Sequence, residues 1–330
     1  MKTILLTGAS GFIGTRFINS FSKKYSITSL DTNFFNEKIN SYNDRKNFIF
    51  KDIRNINKSD LKNINYVIHM AELCNDPLSD LNPELTFDIN VEGTKKLLKM
   101  SKETGVEKFV YMSSCSVYGD SNEDIVNESS GTRSLTAYSK AKIKNEEFII
   151  NNNFDDLEVI ILRNATVFGF SSNIRLDLVV NNLVYYGLLN NEITLFSDGS
   201  ALRPLVHVED VCGVIDEVLQ TKKNLNKEII NNGFNDLNYS VLEIAERVAS
   251  ELNIEKIIKN ENNIDKRSYK VDFSKLKSIL PYKNKFSLVS GINELINNIQ
   301  VDSDNLNSFR LKKIENLLDS GKLNQELYWT

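Results

Sequence analysis

Cysteine is scarce in this 330-residue chain. Cys74, Cys115 and Cys212 are widely spaced and form no Cys-x-x-Cys pair, which argues against a disulfide framework and a zinc site and points to a reducing, cytoplasmic setting. No stretch approaches the ~20 apolar residues of a membrane span. The apolar residues 2–7 are too few for a signal sequence and read as a strand. A formal net charge of −4 gives no field that would attract nucleic acid, so neither a nucleic-acid nor a membrane partner is expected. The two histidines, His69 and His207, both fall in apolar strand patterns and read as packed core residues, so no metal site is expected.

What the chain does have is 41% hydrophobic and 25% charged residues, the composition of a folded domain with a sizeable core. Short apolar runs rich in β-branched residues at 3–7, 26–31, 47–51, 66–70, 108–113 and 158–163 alternate with helical patterns. Among these, 93–104 presents Leu97, Leu98 and Ser101, and 137–152 presents Ile143, Glu147 and Ile150. This alternation predicts an α/β fold with six parallel strands in a doubly wound sheet. After 168 the pattern loosens into a helix near 176–186, a short strand at 194–196 and a helix at 240–252, which suggests a smaller second lobe. The expected division is a first domain over 1–165, with a return at about 203–235, and a second lobe with the tail over 166–202 and 236–330. The tail, 301–330, reads as a docked helix or a subunit contact and is assigned no chemistry.

The segment Gly8-Ala9-Ser10-Gly11-Phe12-Ile13-Gly14 follows the first strand and opens a helix. Glycines there let the backbone approach a pyrophosphate, and a helix start offers free N–H groups and a positive dipole end to it. The spacing, G-x-x-G-x-x-G, also suits a simple tight turn. Asp31 strengthens the dinucleotide reading, because it ends the next strand where a carboxylate accepts from an adenosine ribose. Its charge would repel a 2′-phosphate, favouring NAD over NADP. Asp52 and Ile53, at the end of the third strand, would bracket the adenine; the alternative for Asp52 is a helix N-cap.

Tyr138 and Lys142 lie four residues apart on the helix 137–152, hence on one face. An ammonium beside a phenol stabilises phenolate and lowers the phenol pKa from its usual ~10, so that the oxygen can take a proton from an alcohol. With the glycine loop and the Ser113-Ser114-Cys115-Ser116-Val117-Tyr118-Gly119 stretch, the whole chain resembles the extended short-chain dehydrogenase/reductase family, specifically its NAD-dependent nucleotide-sugar epimerases and dehydratases. The resemblance implies a Rossmann-like doubly wound sheet with a smaller α/β substrate-binding lobe, NAD as cofactor, a nucleotide-diphosphate sugar as substrate and a homodimer. It implies that Ser114 hydrogen-bonds the reacting sugar oxygen and that Ser116 contacts the same sugar. It places Lys142 also on the nicotinamide ribose and Ala71 along the cofactor, with Asn90 on the cofactor side supporting the active-site helix. Arg203, in an R-x-x-x-H-V-x-D stretch, Arg267 and Asn182 resemble contacts to the nucleotide diphosphate, and Arg175 is a further candidate. Each arginine would otherwise be an ordinary ion-paired residue.

Three departures from the family pattern narrow the reaction. Cys115-Ser116 stands where 4,6-dehydratases carry an Asp-Glu pair, so elimination lacks its expected acid and base. Glu72 follows Ala71 where a second Ala is familiar, and Thr166 replaces an Asn; both changes are expected to affect sugar recognition and to leave the hydride-transfer machinery untouched. The expected activity is 4-epimerisation through transient oxidation at C4 of the sugar. The alternatives are a 4-oxidase or 4,6-dehydratase releasing a keto sugar and, outside enzymes, an NAD-sensing or scaffold protein.

Overall fold

The structure, a computed structural model, describes residues 1–35, 47–121, 123–154, 156–260, 262–263, 268–301 and 309–330. Its strands are β1 (Thr3–Thr7), β2 (Ser26–Asp31), β3 (Phe48–Phe50), β4 (Tyr66–His69), β5 (Lys108–Ser114), β6 (Ile125–Val126) and β7 (Glu158–Asn164). They continue with β8 (Thr166–Phe168), β9 (Ile193–Leu195), β10 (Leu202–His207), β11 (Ile229–Asn232), β12 (Asn238–Ser240), β13 (Ile257–Lys259) and β14 (Lys270–Val271).

All six anticipated strands join one parallel sheet with spatial order β11-β7-β5-β4-β1-β2-β3. The seventh strand, β11, escapes a hydrophobicity reading because half of it is Asn231 and Asn232, both fully buried. Their amides bond laterally: Tyr118 Oη donates to Asn231 Oδ1 at 2.7 Å and Asn232 Nδ2 to Asn164 Oδ1 at 2.8 Å, while Asn232 Oδ1 has no partner among the described residues. The strand order reverses between β1 and β4, and the crevice at the carboxyl ends there is where open α/β sheets bind ligands.

Both faces of the sheet are covered. On one, Phe17 and Ile18 of the helix Phe12–Phe21 pack with Val211, Val214 and Ile215 of the helix Val208–Gln220. Leu276 and Leu280 join this core, so residues 270–280 pack on the large sheet although they were grouped with the second lobe. On the other face lie Leu97 and Leu98 of the helix Gly93–Glu103 and Ile149 of the helix Ala137–Asn151. The tail belongs here too: Ile314 and Leu317 of the helix Arg310–Asp319, then Leu323 and Leu327, enter this core rather than the second lobe.

A separate apolar cluster joins the helices Val179–Asn190, Val241–Leu252 and Leu288–Asn298 through Val184, Ile244 and Ile292, with Leu205 of β10. There β10 pairs with β8 and β12, and β9 with β13. Among the described residues, no helix is long and apolar enough to cross a membrane.

The anticipated buried face of the helix Ala137–Asn151 is wrong. Glu147 and Ile150 are exposed and Ile143 is half-buried, whereas Ala141, Lys142, Asn145, Glu146 and Ile149 face inward. The inward face is polar because it carries a buried network: Glu146 pairs with Arg163 of β7 at 2.6 Å and accepts from Ser113 of β5. Hydrophobic periodicity therefore points to the wrong side of this helix.

Candidate active site

The glycine loop forms because each glycine lies against backbone. Gly8 has φ +72°, and a Cβ there would sit 2.7 Å from the Met70 carbonyl; at Gly14 a Cβ would lie 2.7 Å from the Ala9 carbonyl oxygen. Asp31 ties the loop down, one carboxylate oxygen accepting from Ser10 N at 2.9 Å and the other from Asn33 N at 2.6 Å. Gly11 caps the following helix without any side-chain acceptor, so the first N–H groups, those of Phe12 and Ile13, remain for a ligand. The Ser10 hydroxyl is buried and has no partner among the described residues. A backbone cradle, unused N–H groups and an orphaned hydroxyl at a positive helix end fit a dinucleotide pyrophosphate.

Tyr138 sits in the first turn of the helix Ala137–Asn151, whose start is fixed three ways. Thr136 and Ser139 form a reciprocal capping box, Thr136 Oγ1 donates to Asp76 Oδ1 at 2.8 Å, and Ala137 N donates to Asp80 Oδ1 at 3.0 Å. Two carboxylates thus meet the positive end of this helix. Ser114 ends β5 and caps the next turn, accepting from Ser116 N at 3.1 Å. The Ser116 hydroxyl is buried without a partner among the described residues.

These parts share one cleft of about 730 Å³, whose walls carry the glycine loop, Asp31, Ala71, Ser114, Tyr138 and Lys142 together. Asp52, Ile53, Ser116, Thr166, Arg175, Asn182 and Arg203 line it as well. Asp52 is held as the N-cap of a short turn, with Arg54 donating to both its oxygens, the capping alternative. Asn90 does not line the cleft. Fully buried in a π-helical turn, it bonds both the N–H and the carbonyl of Leu73, and its own carbonyl accepts from Asn145 of the active-site helix at 2.8 Å. It clips the loop after β4 to that helix. Arg175 pairs with Asp177 at 2.6 Å, and Asn182 Nδ2 donates to the Leu176 carbonyl at 2.7 Å. Arg267 lies outside the described residues.

Glu72 corrects the sequence reading. Its carboxylate contacts the Lys142 ammonium directly and accepts from Tyr111 Oη at 2.9 Å. Lys142 also donates to the Met112 carbonyl, and its Nζ lies 5.4 Å from the Tyr138 ring centre. The Glu at position 72 therefore reaches the very pair, Tyr138 and Lys142, that it was expected to leave untouched. Burial, the largest effect, pushes the Tyr138 phenol above its ordinary value; Lys142 opposes this and Glu72 reinforces it. Glu72 keeps Lys142 charged despite burial, the ammonium standing above its usual value. So the phenol is not acidified in the net: Lys142 limits a rise that burial and Glu72 cause.

Both histidines are structural. His69 bridges Thr7 Oγ1 and Thr94 Oγ1, each at 2.7 Å, and His207 stacks on Phe286 and bonds Glu294 Oε2 at 2.8 Å. Among the described residues no group of three or more His, Cys, Asp or Glu could hold a metal. Cleft residues that sequence reasoning passed over include Phe196, an exposed aromatic, and Arg310 of the tail. Neither belongs to a motif; only the fold brings them to the site.

Residues 4–233 match the NAD dependent epimerase/dehydratase family. The chain belongs to that family. A UDP-glucuronate 4-epimerase of Thermodesulfobacterium geofontis is 28% identical over 322 residues, covering 90% of this chain and 96% of the relative. The UDP-glucuronic acid 4-epimerase of Bacillus cereus, solved with UDP-glucuronic acid and NAD, superposes with a TM-score of 0.77 at 26% identity, over 89% of this chain and 98% of that one. MoeE5, solved with UDP-glucuronic acid and NAD, gives a TM-score of 0.76 at 25% identity, with the same coverage. This epimerase/dehydratase family member is thus an NAD-dependent enzyme of nucleotide-sugar chemistry, and a bare NAD sensor or scaffold is set aside.

Proposed function

We propose that this enzyme is a 4-epimerase of a nucleotide-diphosphate sugar, with a UDP-sugar favoured by its relatives. The observation that carries the reading is a single cleft holding Ser114, Tyr138 and Lys142 beside the glycine loop, without a carboxylate pair next to Ser114. Cys115, at the first position of the dehydratase pair, is 1% exposed, donates to the Arg163 carbonyl and has its thiol pushed far above the usual range by burial. It is no acid or base for losing water.

Tyr138 takes the proton of the C4 hydroxyl as the C4–H bond breaks, and Ser114 holds the same oxygen in line. NAD, held by the glycine loop and Asp31, would supply the acceptor for the C4 hydride and its return, so that none would be consumed. After the keto sugar presents its other face, Tyr138 gives the proton back to the C4 oxygen. Lys142 keeps a positive charge beside the phenolate before Tyr138 takes that proton and again after it gives it back. Ser116 and Thr166 contact the sugar in this reading, and Arg175, Asn182, Arg203 and Arg267 hold the diphosphate through charge-assisted bonds. The second lobe, built around residues 166–202, 236–260 and 288–298, supplies sugar selectivity. We also propose a cytoplasmic homodimer.

The test is incubation with a panel of nucleotide sugars, following reduced-nicotinamide absorbance and separating products. The expected result is interconversion of C4 epimers with no lasting absorbance. Accumulation of a free keto or dehydrated sugar overturns the assignment. Tyr138→Phe should lower kcat by about 10²–10⁴-fold with NAD still bound; undiminished turnover removes Tyr138 from the chemistry.

A further inference from the structure

Arg310 is a cation in an unusual place. It begins the helix Arg310–Asp319, is 2% exposed and opens on the cleft. Yet it makes no ion pair among the described residues. Its Nη atoms reach only Asn173 Oδ1, both at 3.4 Å, and its Cζ lies 4.3 Å over the Phe35 ring. Most of its five N–H donors are unspent, and a buried charge in that condition is expensive unless an anion completes the site.

Its position says which anion. Asn173, its hydrogen-bond partner, donates through Nδ2 to the carbonyl of Ser10 at 2.5 Å, which sets the guanidinium beside the glycine loop and the free N–H groups of Phe12 and Ile13. Asp31 and Asp177 are near enough to act on its charge without pairing with it, and Arg175 repels it. Arg175 has its charge partly met by Asp177 at 2.6 Å, whereas Arg310 has no ion partner among the described residues and offers its guanidinium to a ligand on this side of the loop.

We propose that Arg310 binds the cofactor's diphosphate, and that the tail bearing it is a strap over the adenosine half of the cleft. The strap is tied to the loops after three strands. Ile314 and Leu317 pack in one core with Leu78 of the helix Asp76–Leu81, after β4. Trp329 Nε1 donates to the Thr32 carbonyl at 2.7 Å, just after β2. Arg54, after β3, lies 4.0 Å over the Tyr328 ring and donates to the Glu326 carbonyl at 2.8 Å. Asp31, Asp52 and Ala71 stand at or beside those three loops, so the dinucleotide is enclosed by a segment more than 230 residues away from them in sequence. A strap suits an enzyme that regenerates its cofactor in every turnover and has no need to exchange it. The inference rests on the cleft being the NAD site, and not on which sugar is epimerised.

The experiment is calorimetric titration of cofactor-free wild type, Arg310→Met and Arg310→Lys with NAD, with adenosine as a phosphate-free probe by displacement. The dissociation constant for NAD should rise about tenfold or more in Arg310→Met, as expected for loss of a charge-assisted pair. Arg310→Lys, which keeps the charge without the fork, should fall between. Adenosine should bind all three alike. Cofactor-free Arg310→Met should melt at or above the wild-type temperature, because an unpaired buried charge has been replaced by an apolar chain. Unchanged NAD affinity, or equal weakening of adenosine, overturns the proposal. So does a loss confined to UDP-glucuronic acid binding by the NAD-saturated protein, which would give the guanidinium to the substrate's diphosphate. Failure of wild type to epimerise any nucleotide sugar would sink the proposed reaction and leave these binding results to stand or fall alone.

Discussion

The carboxylate of Glu72 changes what Lys142 can do for Tyr138. Without it, a buried ammonium would pull the phenol toward ionisation; with it, that pull is opposed by a negative charge in direct contact with the ammonium. Glu72→Gln keeps the hydrogen-bond acceptor toward Tyr111 and removes the charge. A negative neighbour disfavours phenolate, so its removal should move the acid limb of the kcat/KM pH profile to lower pH. A pH-rate profile checks this, and an unmoved limb disconnects Glu72 from the phenol. The same substitution strips a buried cation of its ion partner and should reduce unfolding free energy by about 3 kcal/mol in a urea titration. Glu72 was visible in the sequence as an oddity beside Ala71, but its partner was not. Nothing in residue spacing says that the loop after β4 meets position 142.

At the scale of elements, the legible parts were those governed by local rules. A strand, three glycines and a helix start specify a phosphate cradle because backbone geometry demands it, and the structure builds the cradle with backbone contacts that leave no room for side chains. Gly14→Ala tests this directly. Its methyl would press on the carbonyls of Gly8 and Ala9, prising the helix Phe12–Phe21 from the loop. NAD affinity should fall at least about tenfold, with stability lower by roughly 1–3 kcal/mol from overpacking, by titration and denaturant melt respectively. The helix Ala137–Asn151 shows the opposite case. Tyr138 and Lys142 were placed on one face by the 3.6-residue period, but the face turned to the sheet was misjudged. Burial there follows a network of Glu146, Arg163 and Ser113, and polar residues that are satisfied by partners from other elements look like surface to any hydrophobicity pattern. The strand β11 was missed for the same reason.

The whole molecule carries a pH dependence set by His69. Burial first, and Lys142 second, hold its pKa down to about 3, against 6.5 for the free side chain. Unfolding between those values therefore takes up about one proton, so stability should rise by about 1.4 kcal/mol per pH unit up to about pH 6.5 and level off above it. Urea titrations between about pH 5 and 6.5, above the range where most carboxylates protonate, read this slope. His69→Gln should flatten it, and an equal slope in that variant would show that another group takes up the proton. Below the usual glutamate range Glu294 adds to the acid loss, since bonds to His207 and the Phe170 N–H hold it down at about 2 against the cost of burial.

Composition, strand-helix alternation and two short spacings, the glycines at 8, 11 and 14 and the pair at 138 and 142, were enough to determine the class of fold and the cofactor, and to propose the residues of proton transfer. Those features obey rules that act over a few residues: backbone sterics, helix period and the dipole of a helix start. The tertiary structure alone decided that Glu72 meets Lys142, that Asn90 supports the active site from outside the cleft, and that a tail read as inert sets a buried guanidinium against the glycine loop. These are encounters between distant segments, and they follow from which surfaces pack together, a matter of global burial that no local pattern encodes.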